Sequence, residues 1–373
     1  MLAWLNIIMF KRLVSSLQLA RDKWRRKLGI WLFDRHRPAC EPGQPFKRVV
    51  LVRWDAKWGD AIVSSFIFRE WRRAYPGIQL DVITSPVMAG LFRDHFAADN
   101  VYETVKRPSY TELKTLAKAL GPADLLVHLS KSLKMKDLYF LSQVDCRMIA
   151  GLDDQIGMIN LKLGSATRSM HFTEKFSRLL EQTGVCVHNT DYQVPVDILA
   201  QQRVAHFLEN IPGPLLILNP YGSGQARRLR PDTIKQLIAC IRQARDDVRI
   251  GILSTPDTQD EVSRLCQELA SDKVFYYPDS RTIYDAIALV SRADWVVSVD
   301  TAIVHIAVGL KRPLLAIYNP DKENFAEWGP NSDLAISIFA EPVNPPDING
   351  LDWQSLPQRI EHLLQLRMKE NCV

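Results

Sequence analysis

The stretch Leu215–Ala244 reads LLILN to Asn219, passes through the loop NPYGSGQARRLRP (Asn219–Pro231), and continues as PDTIKQLIACIRQA from Pro231. Five residues dominated by Leu and Ile form a strand short enough to be buried on both faces. Proline then occupies the first turn of a helix in which Ile234, Leu237, Ile238 and Ile241 fall at i, i+3, i+4 and i+7, a single apolar stripe. A buried strand feeding an amphipathic helix is half of a βαβ unit, so a parallel sheet covered on both faces is expected. The same grammar continues through a strand at Val248–Leu253, a helix marked by Ile283, Ile287 and Val290, and strands at Trp295–Val299 (WVVSV) and Leu314–Tyr318.

Upstream the pattern is already present. Lys47–Arg53 (KRVVLVR), Leu80–Thr84 (LDVIT) and Asp124–Leu129 (DLLVHL) read as strands, and Ala61–Ala74 and Thr111–Leu120 as helices. Two Rossmann-like domains of α/β class follow, joined around residues 184–213. There is no low-complexity segment.

Composition agrees. Of 373 residues, 47% are hydrophobic and 24% charged, the balance of a globular protein rather than a disordered, collagen-like or disulfide-scaffold chain. No apolar stretch reaches the roughly 20 residues a spanning helix needs. The six cysteines (Cys40, Cys146, Cys186, Cys240, Cys266, Cys372) include no CxxC pair. Structural zinc is therefore not expected, and the thiols read as buried or free.

Charge is unevenly placed. Residues 1–40 hold nine Lys or Arg against Asp22 and Asp34, a net +7; the whole chain carries +5, so the remainder carries −2. A slightly acidic body argues against a broad nucleic-acid surface. The leader runs from an apolar Met1–Phe10 into the basic Arg21–Lys27, the reverse of a signal peptide's order. It also holds Trp4, Trp24 and Trp31, three of nine tryptophans. Aromatics mixed with cations suit a membrane interface; a helix packed on the body with a solvated basic face is the alternative. Pro38, Pro42, Gly43 and Pro45 end the segment.

In open α/β sheets, ligands bind beyond the carboxyl ends of strands, and three loops stand there. In Trp54–Asp60 (WDAKWGD), Gly59 permits a tight turn and Asp60 opens a helix, where a carboxylate could simply be an N-cap. GxGxxG is absent, so a dinucleotide site is disfavoured. In Asn219–Pro231, Gly222, Ser223 and Gly224 can bring backbone N–H groups to an anion, with Arg227, Arg228 and Arg230 adding positive charge. A solvated basic loop is the bland reading. In Val299–His305 (VDTAIVH), Thr301 and Ala302 place donors at a helix N-terminus, whose dipole favours anions. Asp300 stands at the strand tip, and His305 is either a ligand contact or a core histidine.

In this order and spacing the three loops resemble the bacterial heptosyltransferases of glycosyltransferase family 9. The family's Gly–Asp loop, followed by small residues, a basic stretch and "YP", is matched by Gly59, Asp60, Ser64–Ser65, Arg69, Arg72, Arg73, Ala74, Tyr75 and Pro76. Its signature D-[ST]-[GA]-x-x-H-x-A is matched by Asp300, Thr301, Ala302, His305 and Ala307, and Gly309–Pro320 (GLKRPLLAIYNP) looks like the strand and donor loop that follow. The likeness covers roughly residues 47–345. Departures are Ala302 for the usual glycine, Arg228 for a typical lysine, and Arg230 where a tryptophan is common.

The resemblance implies a GT-B fold, two Rossmann-like domains facing a central cleft. The chain then divides into a basic amphipathic N-terminal segment (1–45), an acceptor domain (46–195), a nucleotide-sugar donor domain (196–345) and a C-terminal helical segment (346–373). It implies Asp60 as general base of an inverting transfer. Ser223, Arg228 and the Thr301–Ala302 backbone would hold the donor diphosphate together with His305, and Asp300 would meet donor sugar hydroxyls. Asp257 is the candidate for the donor ribose. No DxD-like pair occurs in these loops, so metal independence is expected, with no cofactor beyond the donor substrate. That donor is implied to be ADP-heptose, and the acceptor a lipid-anchored lipopolysaccharide core oligosaccharide at the inner face of the cytoplasmic membrane. The rivals are a transferase using another nucleotide sugar and a non-catalytic membrane-associated protein that kept the fold.

Overall fold

The computed structural model describes residues 2–38 and 46–366, with side chains in the first helix from residue 17 onward. The side chain of Trp4, and Cys40, Pro42, Gly43, Pro45 and Cys372, lie outside the described residues. The chain forms two compact units. Met1–Ala56, Ile67–Arg168 and Glu174–His188 make the first; Lys57–Phe66, Ser169–Thr173 and Asn189–Val373 make the second.

The first unit holds β1 (Arg48–Arg53), β2 (Gln79–Thr84), β3 (Asn100–Glu103), β4 (Ala123–His128), β5 (Cys146–Gly151) and β6 (Leu161–Lys162), in the order β3-β2-β1-β4-β5-β6. The second holds β7 (Leu215–Asn219), β8 (Arg249–Ile252), β9 (Val274–Tyr276), β10 (Trp295–Val299), β11 (Leu314–Tyr318) and β12 (Ala335–Phe339), in the order β9-β8-β7-β10-β11-β12. All pairings are parallel. Both sheets thus have the Rossmann order, and in each the direction of winding reverses between the first and fourth strands. The central strands β1, β7 and β10 are buried over nearly their whole length, which is why they read as unbroken apolar runs rather than alternating ones.

The strands and helices expected from the apolar runs are present, but one helix differs. Ala61–Ala74 is two helices, α2 (Trp58–Val63) and Phe66–Ala74. The break falls at Ser64 and Ser65, whose hydroxyls donate to the carbonyls of Ala61 (3.0 Å) and Ile62 (2.7 Å). Such back-bonding competes with the helical ladder. The boundary between the units falls just after this break: residues 57–66, together with 169–173 and 189–195, group with the second unit rather than the first. Weakly patterned strands, such as β3 (NVYE) and β5 (CRMIAG), had no apolar run to announce them.

The leader forms α1 (Leu2–Phe33). Its C-terminal half packs on the first unit. A Cβ at Gly29 would stand 3.0 Å from Met135 Cα, so the two backbones touch there. Ile30 and Phe33 join that unit's core, and Phe33 meets Tyr139 edge-on at 5.2 Å. Arg26 donates to both carboxylate oxygens of Asp153 (2.9 and 2.8 Å), and Asp34 accepts from the N–H groups of Gly157 (2.8 Å) and Met158 (2.9 Å). Trp24 and Trp31 nevertheless stay 64% and 76% exposed. Packing and an outward aromatic stripe therefore coexist on one helix. No described helix is long and apolar enough to cross a membrane. Cys146, Cys186, Cys240 and Cys266 are free thiols, and burial raises those of Cys146 and Cys266 to about 11.

Candidate active site

β7 and β10 are neighbours at the reversal point of the second sheet, and their carboxyl ends carry two of the three loops. Asn219, the last residue of β7, ties them together: its Nδ2 donates to Ser298 Oγ (2.9 Å) and to Thr301 Oγ1 (2.8 Å). Thr301 is the N-cap of the helix Ala302–Gly309, its hydroxyl accepting from Ile303 N–H at 3.2 Å. The expected helix terminus is therefore formed and braced from β7. Asn219 was not singled out in the sequence, because a terminal strand residue shows its partners only when the sheet closes.

The loop 219–231 is tighter than its glycines alone imply. Tyr221 and Arg228 form an antiparallel bridge, and the N–H of Gly222 donates to the Arg227 carbonyl at 2.8 Å. The Gly222 N–H is thus committed within the loop, a correction to its expected role toward an anion. A Cβ at Gly222 would lie 2.8 Å from that carbonyl oxygen, and Gly224 has φ +83°. Both positions need glycine, for close approach and for a left-handed turn respectively.

The three arginines diverge. Arg227 reaches Asp300 Oδ2 (3.2 Å) and Ser223 Oγ (2.8 Å). Arg228 forms a close ion pair with Glu261 and lies 4.3 Å over the Tyr221 ring. Arg230 turns away to Asp347 at 2.9 Å. Burial raises the Asp300 carboxyl above the usual range, opposed by the charges of Arg227 and Lys57. Asp257 is exposed in the turn after β8. Glu261, one helical turn on in Gln259–Leu269, is the acid that stands beside this loop. Nothing in the sequence distinguished it from Asp257 or Asp260.

Asp60 enters the same unit on α2. The N-cap of α2 is Lys57, not Asp60, which occupies the first turn. Lys57 Nζ is 3.7 Å from Asp60 Oδ2. α2 lies against the helix Ala302–Gly309. A Cβ at Gly59 would stand 2.9 Å from His305 Cδ2 and 3.4 Å from Ala302 Cα, so the Gly–Asp pair works as a unit: glycine admits the contact and the acid follows it. His305 is buried, and burial, helped by His171, drives it down to about 3. It is neutral at any physiological pH and offers a diphosphate no charge. Its Nδ1 has no hydrogen-bond partner among the described residues.

Ser223, Arg227, Asp300 and Thr301 thus form one cluster. Arg228 stands on the far side of the same loop, and the segment that carries Asp60 lies against Ala302 and His305. Donors and guanidinium groups at a helix N-terminus bind diphosphate, and a partly buried carboxylate can accept a proton. Among the described residues, no three His, Cys, Asp or Glu are grouped so as to hold a metal ion.

Residues 117–348 match the sequence profile of glycosyltransferase family 9 (heptosyltransferase). A putative lipopolysaccharide heptosyltransferase 4 of Escherichia coli (strain K12) is 25% identical over 341 residues, covering 87% of this chain and 88% of that one. Among solved structures, a glycosyl transferase family 9 protein from Veillonella parvula superposes with TM-score 0.71 at 16% identity, over 88% of this chain and 99% of that one. E. coli heptosyltransferase WaaC with ADP superposes with TM-score 0.64 at 21% identity, over 85% and 99%.

Proposed function

The chain belongs to glycosyltransferase family 9, and on that premise we propose that it moves heptose from ADP-heptose to the lipopolysaccharide core oligosaccharide, with inversion and without a metal ion. The observation that carries this reading is the close approach of the Gly59–Asp60 segment to Ala302 and His305, on the helix whose capped N-terminus adjoins the Asp300–Arg227–Ser223 cluster. The E. coli relative, described as a putative lipopolysaccharide heptosyltransferase, and the ADP in the WaaC structure support the choice of substrates.

In the proposed reaction the acceptor oxygen attacks the anomeric carbon as Asp60 takes its proton. The bond to the diphosphate breaks on the opposite face. Ser223, Arg228 and the Thr301–Ala302 backbone stabilise the departing charge, and Asp300 orients the sugar hydroxyls. His305 acts as a neutral hydrogen-bonding group. Fixed guanidinium groups and a helix dipole supply the electrostatic stabilisation that leaving-group departure needs.

Mass spectrometry of core oligosaccharide from a deletion strain tests the assignment. Loss of one heptose and everything distal to it is expected; loss of a hexose would transfer the reading to another nucleotide sugar. Activity in EDTA should equal that in buffer. Activity that vanishes with EDTA and returns with Mg²⁺ or Mn²⁺ would overturn the metal-free mechanism.

The lipid-linked acceptor places the enzyme at the cytoplasmic face of the inner membrane, and α1 supplies the contact. Leu17, Trp24 and Trp31 recur every seven residues on one exposed face of a strongly basic segment. Each cation near an anionic surface contributes about 1 kcal/mol. Truncation would strip packing contacts as well, so Trp24→Ala with Trp31→Ala is the cleaner variant. It should keep its melting temperature and partition less onto vesicles containing anionic lipid, and wild-type binding should weaken as salt rises. Equal partitioning of variant and wild type would remove α1 from the membrane contact.

A further inference from the structure

A cavity of about 870 Å³ lies within the first unit, at the carboxyl ends of β1 and β4. These strands are neighbours at that sheet's own reversal point, the position where open α/β sheets take ligands. Among the described residues, seven Lys or Arg line it against three Asp. They come from separate elements: Arg21 and Arg25 from α1, Arg53 from the end of β1, Lys106 and Arg107 from the loop after β3, and Lys134 and Lys136 from beyond β4.

The wall is under-satisfied. The Arg53 side chain is 11% exposed, its Nε and one terminal nitrogen make no hydrogen bond, and Asp55 stands 3.7 Å away. His128 Nε2 also lacks a hydrogen bond, with Asp137 at 3.6 Å. A guanidinium held mostly out of water keeps a strong positive field in the space beside it, so Arg53 favours an anion in the cavity. Phosphate and carboxylate both match the guanidinium fork.

α1 is held at this wall by design. Arg26 on Asp153, Asp34 on the Gly157 and Met158 amides, and Gly29 against Met135 fix its rotation. Arg21 and Arg25, four residues apart, therefore share the face that lines the cavity. Leu17, Trp24 and Trp31, seven residues apart and exposed, form the stripe that adjoins this face. One helix serves two surfaces.

We propose that this cavity is an anion site, completed by Arg21 and Arg25 of α1, that takes a phosphate or carboxylate group of the sugar acceptor. The identity of the ligand as an acceptor rests on the transferase reading above; the anion site itself does not. α1 is then part of the binding machinery.

The test is calorimetric titration of the full chain, saturated with ADP, with soluble tripolyphosphate and no lipid present. Wild type should bind. Arg21→Glu with Arg25→Glu, two exposed positions whose loss spares the core, should bind roughly tenfold more weakly or worse, the scale of a lost charge-assisted contact. Its ADP affinity should be unchanged. Arg53→Met should also lose tripolyphosphate while keeping ADP. Equal tripolyphosphate affinity in wild type and the double variant would overturn the site, as would binding to anionic vesicles with none to the soluble probe. Failure of wild type to bind ADP would strike the transferase reading instead, and the difference between wild type and double variant would still report the cavity.

Discussion

Asp60→Asn should lower kcat by roughly 10²-fold or more, the usual scale for a general base, while ADP affinity stays within error of wild type. Asn keeps the shape of the side chain and its place in the first turn of α2, but cannot take a proton from the acceptor hydroxyl. The structural contribution of the carboxylate is small. A first-turn acid adds about 0.3–1 kcal/mol through the helix dipole. Its Lys57 partner is 67% exposed, so that pair adds little. A modest shift in melting temperature with a large fall in turnover therefore separates chemistry from folding. Near-normal turnover would return Asp60 to a helix-dipole role and leave the base unassigned.

The second large effect falls on the donor. Arg228→Ala should weaken ADP binding by about 1.5–3 kcal/mol, one charge-assisted contact, equivalent to roughly 10- to 150-fold in Kd. Glu261, the partner left behind, is 31% exposed and can be solvated, so the fold should survive. Arg227→Ala is the informative companion. It removes the ion pair on Asp300 and the hydrogen bond to Ser223, so it should disorganise the sugar-facing carboxylate more than the diphosphate site. If R228A binds ADP normally and R227A does not, the diphosphate belongs to Arg227.

The sequence by itself determined the architecture and the addresses of the site. β7 and β10 are legible as LLILN and WVVSV because strands covered on both faces must be apolar at every position, a local requirement written residue by residue. The βα order then places loops 54–60, 219–231 and 299–305 at carboxyl ends, where ligands bind. Asp60, Asp300 and Thr301 were found that way. Strands without a continuous apolar run, such as β3, were not.

Only the tertiary structure decided which side chains meet. Arg227 and Arg228 are equivalent in composition, but the loop closes so that Arg227 ends a short 3₁₀ turn and Arg228 is extended at φ −124°, ψ 120°. The backbone changes from helical to extended between them, and this change of direction sends one arginine to Asp300 and the other to Glu261. The same holds for Gly59 against His305, and for α1, whose Arg21 and Arg25 acquire a cavity only because Arg26, Gly29 and Asp34 lock the helix to the first unit. Periodicity encodes which face of an element is buried. Partner choice is settled by how segments distant in sequence close on one another, and no local pattern records that.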